Sequence, residues 1–109
     1  MPKAVVKQRV VKIAAFMAEC LKEKGVEVDQ IAVFGSQVNG RAHKDSDIDI
    51  IIVSKKFRRK DIFKRVEMIA DIHSQTVSKF MVPLDILLKT PEEAKDSHFF
   101  NNSVVVWPA

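Results

Sequence analysis

A chain of 109 residues, 47% hydrophobic and 29% charged, is one domain's length with enough apolar material for a core. Its longest apolar run, Ile48 to Val53, is interrupted by Asp49 and is far too short to span a bilayer, and its single cysteine, Cys20, allows no internal disulfide and fits a reducing cytosol. The net charge of +4 favours anionic ligands such as nucleotides or RNA without choosing among them, and the patterned basic N-terminus lacks a signal-peptide layout.

Residues from about Pro2 to Lys24 read as an amphipathic helix. Val6, Val10, Ile13, Met17 and Leu21 recur at helical spacing, Pro2 suits the first turn and Gly25 suits the stop. Ile31-Ala32-Val33-Phe34 reads as a short buried strand running into Gly35. Residues 36–46 are polar and turn-rich, with Asn39-Gly40 a turn signal. Ile48 to Val53, rich in β-branched residues, is the strongest strand. A second helix is expected from roughly Arg59 to Phe80, with Ile62, Val66, Ile69, His73 and Phe80 as its core stripe. Pro83 marks the start of a third strand, Leu84 to Leu88. Thr90 is a good N-cap, Pro91 fits the first helical position, and Glu92-Glu93 suit the positive end of a short helix. Val104 to Trp107 closes the chain as a short strand or interface tail. The order α-β-β-α-β-α-β predicts an α+β (mixed α/β) domain, helices packed on a three- to four-stranded sheet. No repeat or linker divides residues 1–109, which are read as a single domain.

Alternation along a strand places the side chains of Asp47 and Asp49 on one face. Two carboxylates this close repel, so at neutral pH they need cations or have their pKa values pushed apart. Mg²⁺ suits them, since it is commonly held by one or two carboxylates plus substrate phosphates. Asp85 stands alone among Leu84, Ile86, Leu87 and Leu88. Such a carboxylate is costly unless paired, ligated or at an exposed edge. If its strand lies beside Ile48–Val53, three aspartates converge in the layout of a two-metal site. Gly35 permits close backbone approach at the end of the first strand, and the Ser36 hydroxyl can bond a phosphate oxygen. Ser46 suits the local turn before Asp47, and Arg41 and Lys44 are placed to meet phosphates.

Gly35-Ser36, ten intervening residues, then Asp47-Ile48-Asp49, with Gly40, Ser46 and a later strand Asp85, resembles the minimal nucleotidyltransferase family of the DNA polymerase β-like superfamily. The resemblance runs almost throughout GSQVNGRAHKDSDIDI and follows the element order over nearly the whole chain. It implies a nucleotidyltransferase fold, with Asp47, Asp49 and Asp85 as the metal and catalytic triad. It also implies Gly35 and Ser36 as triphosphate contacts, two Mg²⁺ ions, and ATP as the donor of AMP to a hydroxyl. Many relatives carry Arg or an aromatic where Gln37 stands, and often Arg where Asn39 stands. The chain has little material left to grip an acceptor, so the acceptor is expected to be another protein. Resemblance to stand-alone members implies a HEPN-family toxin as partner, adenylylated on a tyrosine by this chain as antitoxin in the cytoplasm. The alternatives are a non-catalytic module neutralising its partner by occlusion, and a transferase acting on a small molecule or RNA.

The cluster Arg58, Arg59, Lys60, Lys64 and Arg65 reads as a solvated helix face before an RNA surface, because no aromatics are interleaved with it. His73 reads as a satisfied, partly buried histidine, and Cys20 as a small apolar residue near the core. His43 and His98 receive no role. Phe99, Phe100 and Trp107 read as core or as an oligomer or partner patch.

Overall fold

The computed structural model describes residues 8–35, 38 and 47–108. Helix α1 (Gln8–Glu23) is followed by strand β1 (Gln30–Phe34), strand β2 (Ile48–Val53) and a 3₁₀ turn (Lys55–Phe57). Helix α2 (Ile62–Phe80), strand β3 (Leu84–Lys89), short helices α3 (Pro91–Lys95) and α4 (His98–Asn101), and strand β4 (Val104–Trp107) complete the chain. The expected element order holds, with the 3₁₀ turn and α4 added. The expected first-helix positions Pro2 to Lys7, Val6 among them, lie outside the described residues.

The sheet has four strands in the order β3-β2-β1-β4. β1 runs antiparallel to both β2 and β4, while β2 and β3 are parallel, so the sheet is mixed. Parallel neighbours need a crossover, and α2 supplies it. One face carries Ile31, Val33, Ile48, Ile50, Ile52, Leu84, Leu88 and Val106. These pack against Val10, Ile13, Met17 and Leu21 of α1 and Ile69 and Ile72 of α2, forming the main core. The other face is covered only in part, by a small cluster of Ile51, Val53 and Ala94 with Phe34, Leu87 and Phe100.

The stripe expected on the second helix is corrected. Ile62 and Val66 are 57% and 50% exposed, and the buried residues of α2 are Ile69, Ile72 and Thr76. The helix also starts later than Arg59: Asp61 is its N-cap, its carboxylate accepting from Lys64 N at 2.9 Å. Arg59, with φ 63°, lies before that cap. His73 is half-buried as expected, and its Nε2–H donates to the Leu84 carbonyl at 3.2 Å, tying α2 to the start of β3. Arg9 on α1 donates to the Phe80 carbonyl at the end of α2.

The junction after β2 is polar inside. Ser54 is fully buried; its hydroxyl donates to the Glu27 carbonyl at 2.6 Å and accepts from Lys56 N at 3.1 Å, which seats Phe57 in the core. The basic cluster is largely used in the fold. Arg58 pairs with Glu92 at 2.5 Å, Lys64 with Glu67 at 3.1 Å and Arg65 with Glu93 at 2.6 Å. Arg65 also donates to the carbonyls of Lys60 and Leu88, at 2.8 and 3.1 Å, joining the start of α2 to the end of β3.

Thr90 caps α3 and Pro91 stands in its first turn, as the sequence predicts, and Glu93 completes a capping box with Thr90. The Arg65 guanidinium and the Thr90 backbone N–H hold the Glu93 carboxyl down at about 2. A depressed carboxyl stabilises the fold above its unfolded value, and that contribution is lost as pH falls from about 4.5 towards about 2. Because Glu93 is 44% exposed, solvent screening keeps the gain near 1 kcal/mol. Glu93→Gln should therefore lower stability by about 1 kcal/mol at pH 7, and the difference should shrink steadily as pH falls from about 4.5 towards about 2. Thermal melts of both proteins across that range check this, and parallel pH curves would contradict it.

Candidate functional site

β1 ends where Gly35 turns the chain with φ 70°, in the left-handed region that favours glycine. Val38 N–H donates to the Gly35 carbonyl at 3.0 Å, so a turn opens at this residue. A Cβ built on Gly35 would overlap the Asp49 Oδ2 atom and stand 3.4 Å from Asp49 Cγ. Glycine is favoured here by backbone conformation, and any larger residue would also turn the Asp49 carboxylate away from its place.

Asp49 is the second residue of β2. It stands opposite Phe34 of β1 on one side and in register with Asp85 of β3 on the other. Directly paired residues share a face, so Phe34, Asp49 and Asp85 form one row across the sheet. Alternation along each strand puts that row on the lightly covered face, with Ile51 and Leu87 in the next row. Adjacent strands lie about 4.8 Å apart, which brings the Asp49 and Asp85 carboxyls into contact range. Asp47 is exposed and lies two residues before Asp49.

The electrostatics follow from this row. Burial raises the Asp49 carboxyl above its ordinary value, and the Asp85 charge, a side-chain hydrogen bond with Asp85 and the Asp47 charge raise it further. Among the described residues, none of the ion pairs includes Asp47, Asp49 or Asp85. The result is an all-oxygen, acidic site whose Asp49 carboxylate lies against the Cβ-less Gly35, and such a donor set fits a hard divalent cation. Among the described residues, no three acidic, histidine or cysteine side chains are already gathered as a complete metal cage. Mg²⁺ commonly takes only one or two carboxylates and completes its shell with water and substrate phosphates, so the residues present suit it.

Of the residues singled out from sequence, the structure brings Asp49, Asp85 and Gly35 together and places Asp47 at the same end of β2. Ser36, Gln37, Asn39, Gly40, Arg41, His43, Lys44 and Ser46 lie outside the described residues. Phe34 is the member of the row that sequence reasoning passed over. Its place at the last position before Gly35, opposite the second aspartate of the hairpin, is the signal that marks it.

The chain is thus a mixed four-stranded sheet with two helices on one face and a carboxylate row beside a glycine turn on the other. A nucleotidyltransferase domain model matches residues 15–105, and the chain belongs to that family. A candidate nucleotidyltransferase from Sulfolobus solfataricus superposes with a TM-score of 0.65 at 25% identity, covering 91% of this chain and 80% of that one. A toxin–antitoxin structure with AMP-PNP superposes with a TM-score of 0.56 at 18% identity, covering 93% and 72%. BolA1 from Arabidopsis thaliana gives a TM-score of 0.52 at 23% identity, covering 81% and 98%. At such identity the last two likenesses speak for the fold alone. No curated protein matches the chain. Among the described residues, no helix is long and apolar enough to cross a membrane.

Proposed function

We propose that this protein transfers AMP from ATP, with Mg²⁺, to a hydroxyl of a partner protein, and that the partner is a toxin of the HEPN family modified on a tyrosine. The observation that carries the reading is the Asp49–Asp85 register beside the Gly35 turn. It puts two carboxylates on one lightly covered face, with a glycine turn packed against one of them. The nucleotidyltransferase domain match over residues 15–105 supports the reaction class. A toxin–antitoxin structure with AMP-PNP shares the fold, which agrees with a toxin as partner, while the HEPN identity rests on the sequence resemblance.

In this reading Asp47, Asp49 and Asp85 would hold the divalent ions, which when bound would supply neutralisation of the triphosphate's charge and activation of the acceptor hydroxyl. Gly35 and Ser36 position the β- and γ-phosphates through backbone N–H groups and a hydroxyl. The acceptor oxygen bonds to the α-phosphorus as the bond to the bridging oxygen breaks, and pyrophosphate leaves. Asp85, exposed on the edge strand β3, takes the hydroxyl proton at its carboxylate. The protein's share of catalysis is positioning and charge compensation rather than covalent chemistry.

The test mixes the purified protein with ATP, Mg²⁺ and a HEPN-family partner, then reads intact mass and toxin activity. The expected result is one or more adenylyl groups on the partner, absent when Asp47→Asn and Asp49→Asn are combined. A double variant that neutralises the toxin as well as wild type would show instead that the chain acts by occlusion. The absence of any adduct with the wild-type protein would overturn protein adenylylation.

A further inference from the structure

We propose that Phe99 is the platform on which the nucleobase of the bound nucleoside triphosphate stacks. The proposal rests on the nucleotidyltransferase reading above and adds a base-binding residue to it. The row Phe34–Asp49–Asp85 continues beyond β1. The Phe99 ring packs on Phe34 at 5.2 Å between centroids and meets His98 edge-on at 5.9 Å, and the residue is 50% exposed. Phe100, the next residue, is tucked into the small cluster with Ile51, Val53 and Ala94, which anchors α4 to this face of the sheet. Phe99 is therefore an open aromatic surface on a fixed support, one ring removed from the Asp49 carboxylate.

The two flanks of the carboxylates differ. On one side β3 is the sheet edge, where Asp85 is exposed and an acceptor can approach. On the other stand Gly35, whose missing side chain lets the Asp49 carboxylate lie against the turn, and the Phe34–Phe99 pair. A donor held by its phosphates at the Gly35 turn has its base on this aromatic side if the acceptor is to keep the β3 side. The other strongly exposed phenylalanine among the described residues, Phe63 at 81%, lies on α2, which packs against the opposite face. An exposed ring offers a base its flat apolar surface without hydrogen bonds, so recognition by Phe99 discriminates a nucleotide from bare polyphosphate rather than one base from another.

The test measures Mg²⁺-dependent binding of ATP and of inorganic tripolyphosphate by calorimetry. The proteins are wild type, Phe99→Ala and Phe99→Tyr, with thermal melts confirming that the half-exposed position leaves the fold intact. Phe99→Ala should bind ATP about tenfold to a hundredfold more weakly, bind tripolyphosphate as wild type does, and be rescued for ATP by Phe99→Tyr. Unchanged ATP affinity in Phe99→Ala, or equal loss for ATP and tripolyphosphate, overturns the platform while leaving the nucleotidyltransferase reading standing. Failure of wild type to bind either ligand overturns both.

Discussion

Asp49→Asn should at once make the protein more stable and slow its reaction severely. Asp49 sits between Phe34 and Asp85, and burial with its two acidic neighbours raises its carboxyl. A carboxyl raised in the fold contributes stability that is complete below its unfolded value of 3.8 and is lost as pH rises through the higher folded value. At pH 7 the ionised group is therefore a net cost, and asparagine, similar in shape and uncharged, removes it. The melting temperature of Asp49→Asn at pH 7 should rise by a few degrees, and the gain should vanish in acid, where wild-type Asp49 is already neutral. Turnover should fall about a hundredfold to a thousandfold, the range for losing one electrostatic contact to a transition state. Wild type should be stabilised by Mg²⁺ with ATP through binding linkage, and the variant should lose most of that response. A variant less stable than wild type at pH 7 would show that the charge is already compensated.

The cost of Asp49 explains why it was visible in the sequence. A carboxylate inside Ile48–Val53 breaks the rule that such runs are apolar, and rules of that kind are broken where function demands it. The strands themselves were legible because β-branched runs bounded by Gly and Pro admit few other readings. The buried extent of α2 was not. Of the expected stripe Ile62, Val66, Ile69, His73 and Phe80, Ile69 is buried and Phe80 packs on the core, but Ile62 and Val66 are exposed, and Ile72 and Thr76 are buried in their place. Periodicity alone does not say how far towards its start a helix stays against the sheet. Phe57 was equally hidden, since Lys55, Lys56, Arg58 and Arg59 around it read as surface. Only the buried Ser54, capping the 3₁₀ turn, brings that phenylalanine inside. At the site, Asp47 and Asp49 were legible from spacing within one strand. Asp85 needed the pairing of β2 with β3, because no local pattern states which strands are neighbours.

Gly35→Ala carries the second large effect, and Gly25→Ala is its internal control. Both glycines have positive φ, 83° at Gly25 and 70° at Gly35, so alanine pays the left-handed backbone cost at either, about 1–2 kcal/mol. At Gly25 the added Cβ meets nothing within 4 Å, and that cost should be the whole effect. At Gly35 the Cβ would also overlap Asp49 Oδ2, so the carboxylate must turn away or the β1–β2 pairing must open. The expected destabilisation is about 2–4 kcal/mol, with the excess over Gly25→Ala measuring the clash. Activity should be lost in Gly35→Ala and kept in Gly25→Ala, since only the first displaces a site carboxylate. Combining Gly35→Ala with Asp49→Ser, whose shorter side chain lacks the offending oxygen, should recover the excess stability cost. A double-mutant cycle by denaturant titration reads that coupling directly. If the two substitutions are additive, the glycine serves the turn alone; if they couple, Gly35 is the residue that makes room for Asp49, and the turn and the carboxylate are one device.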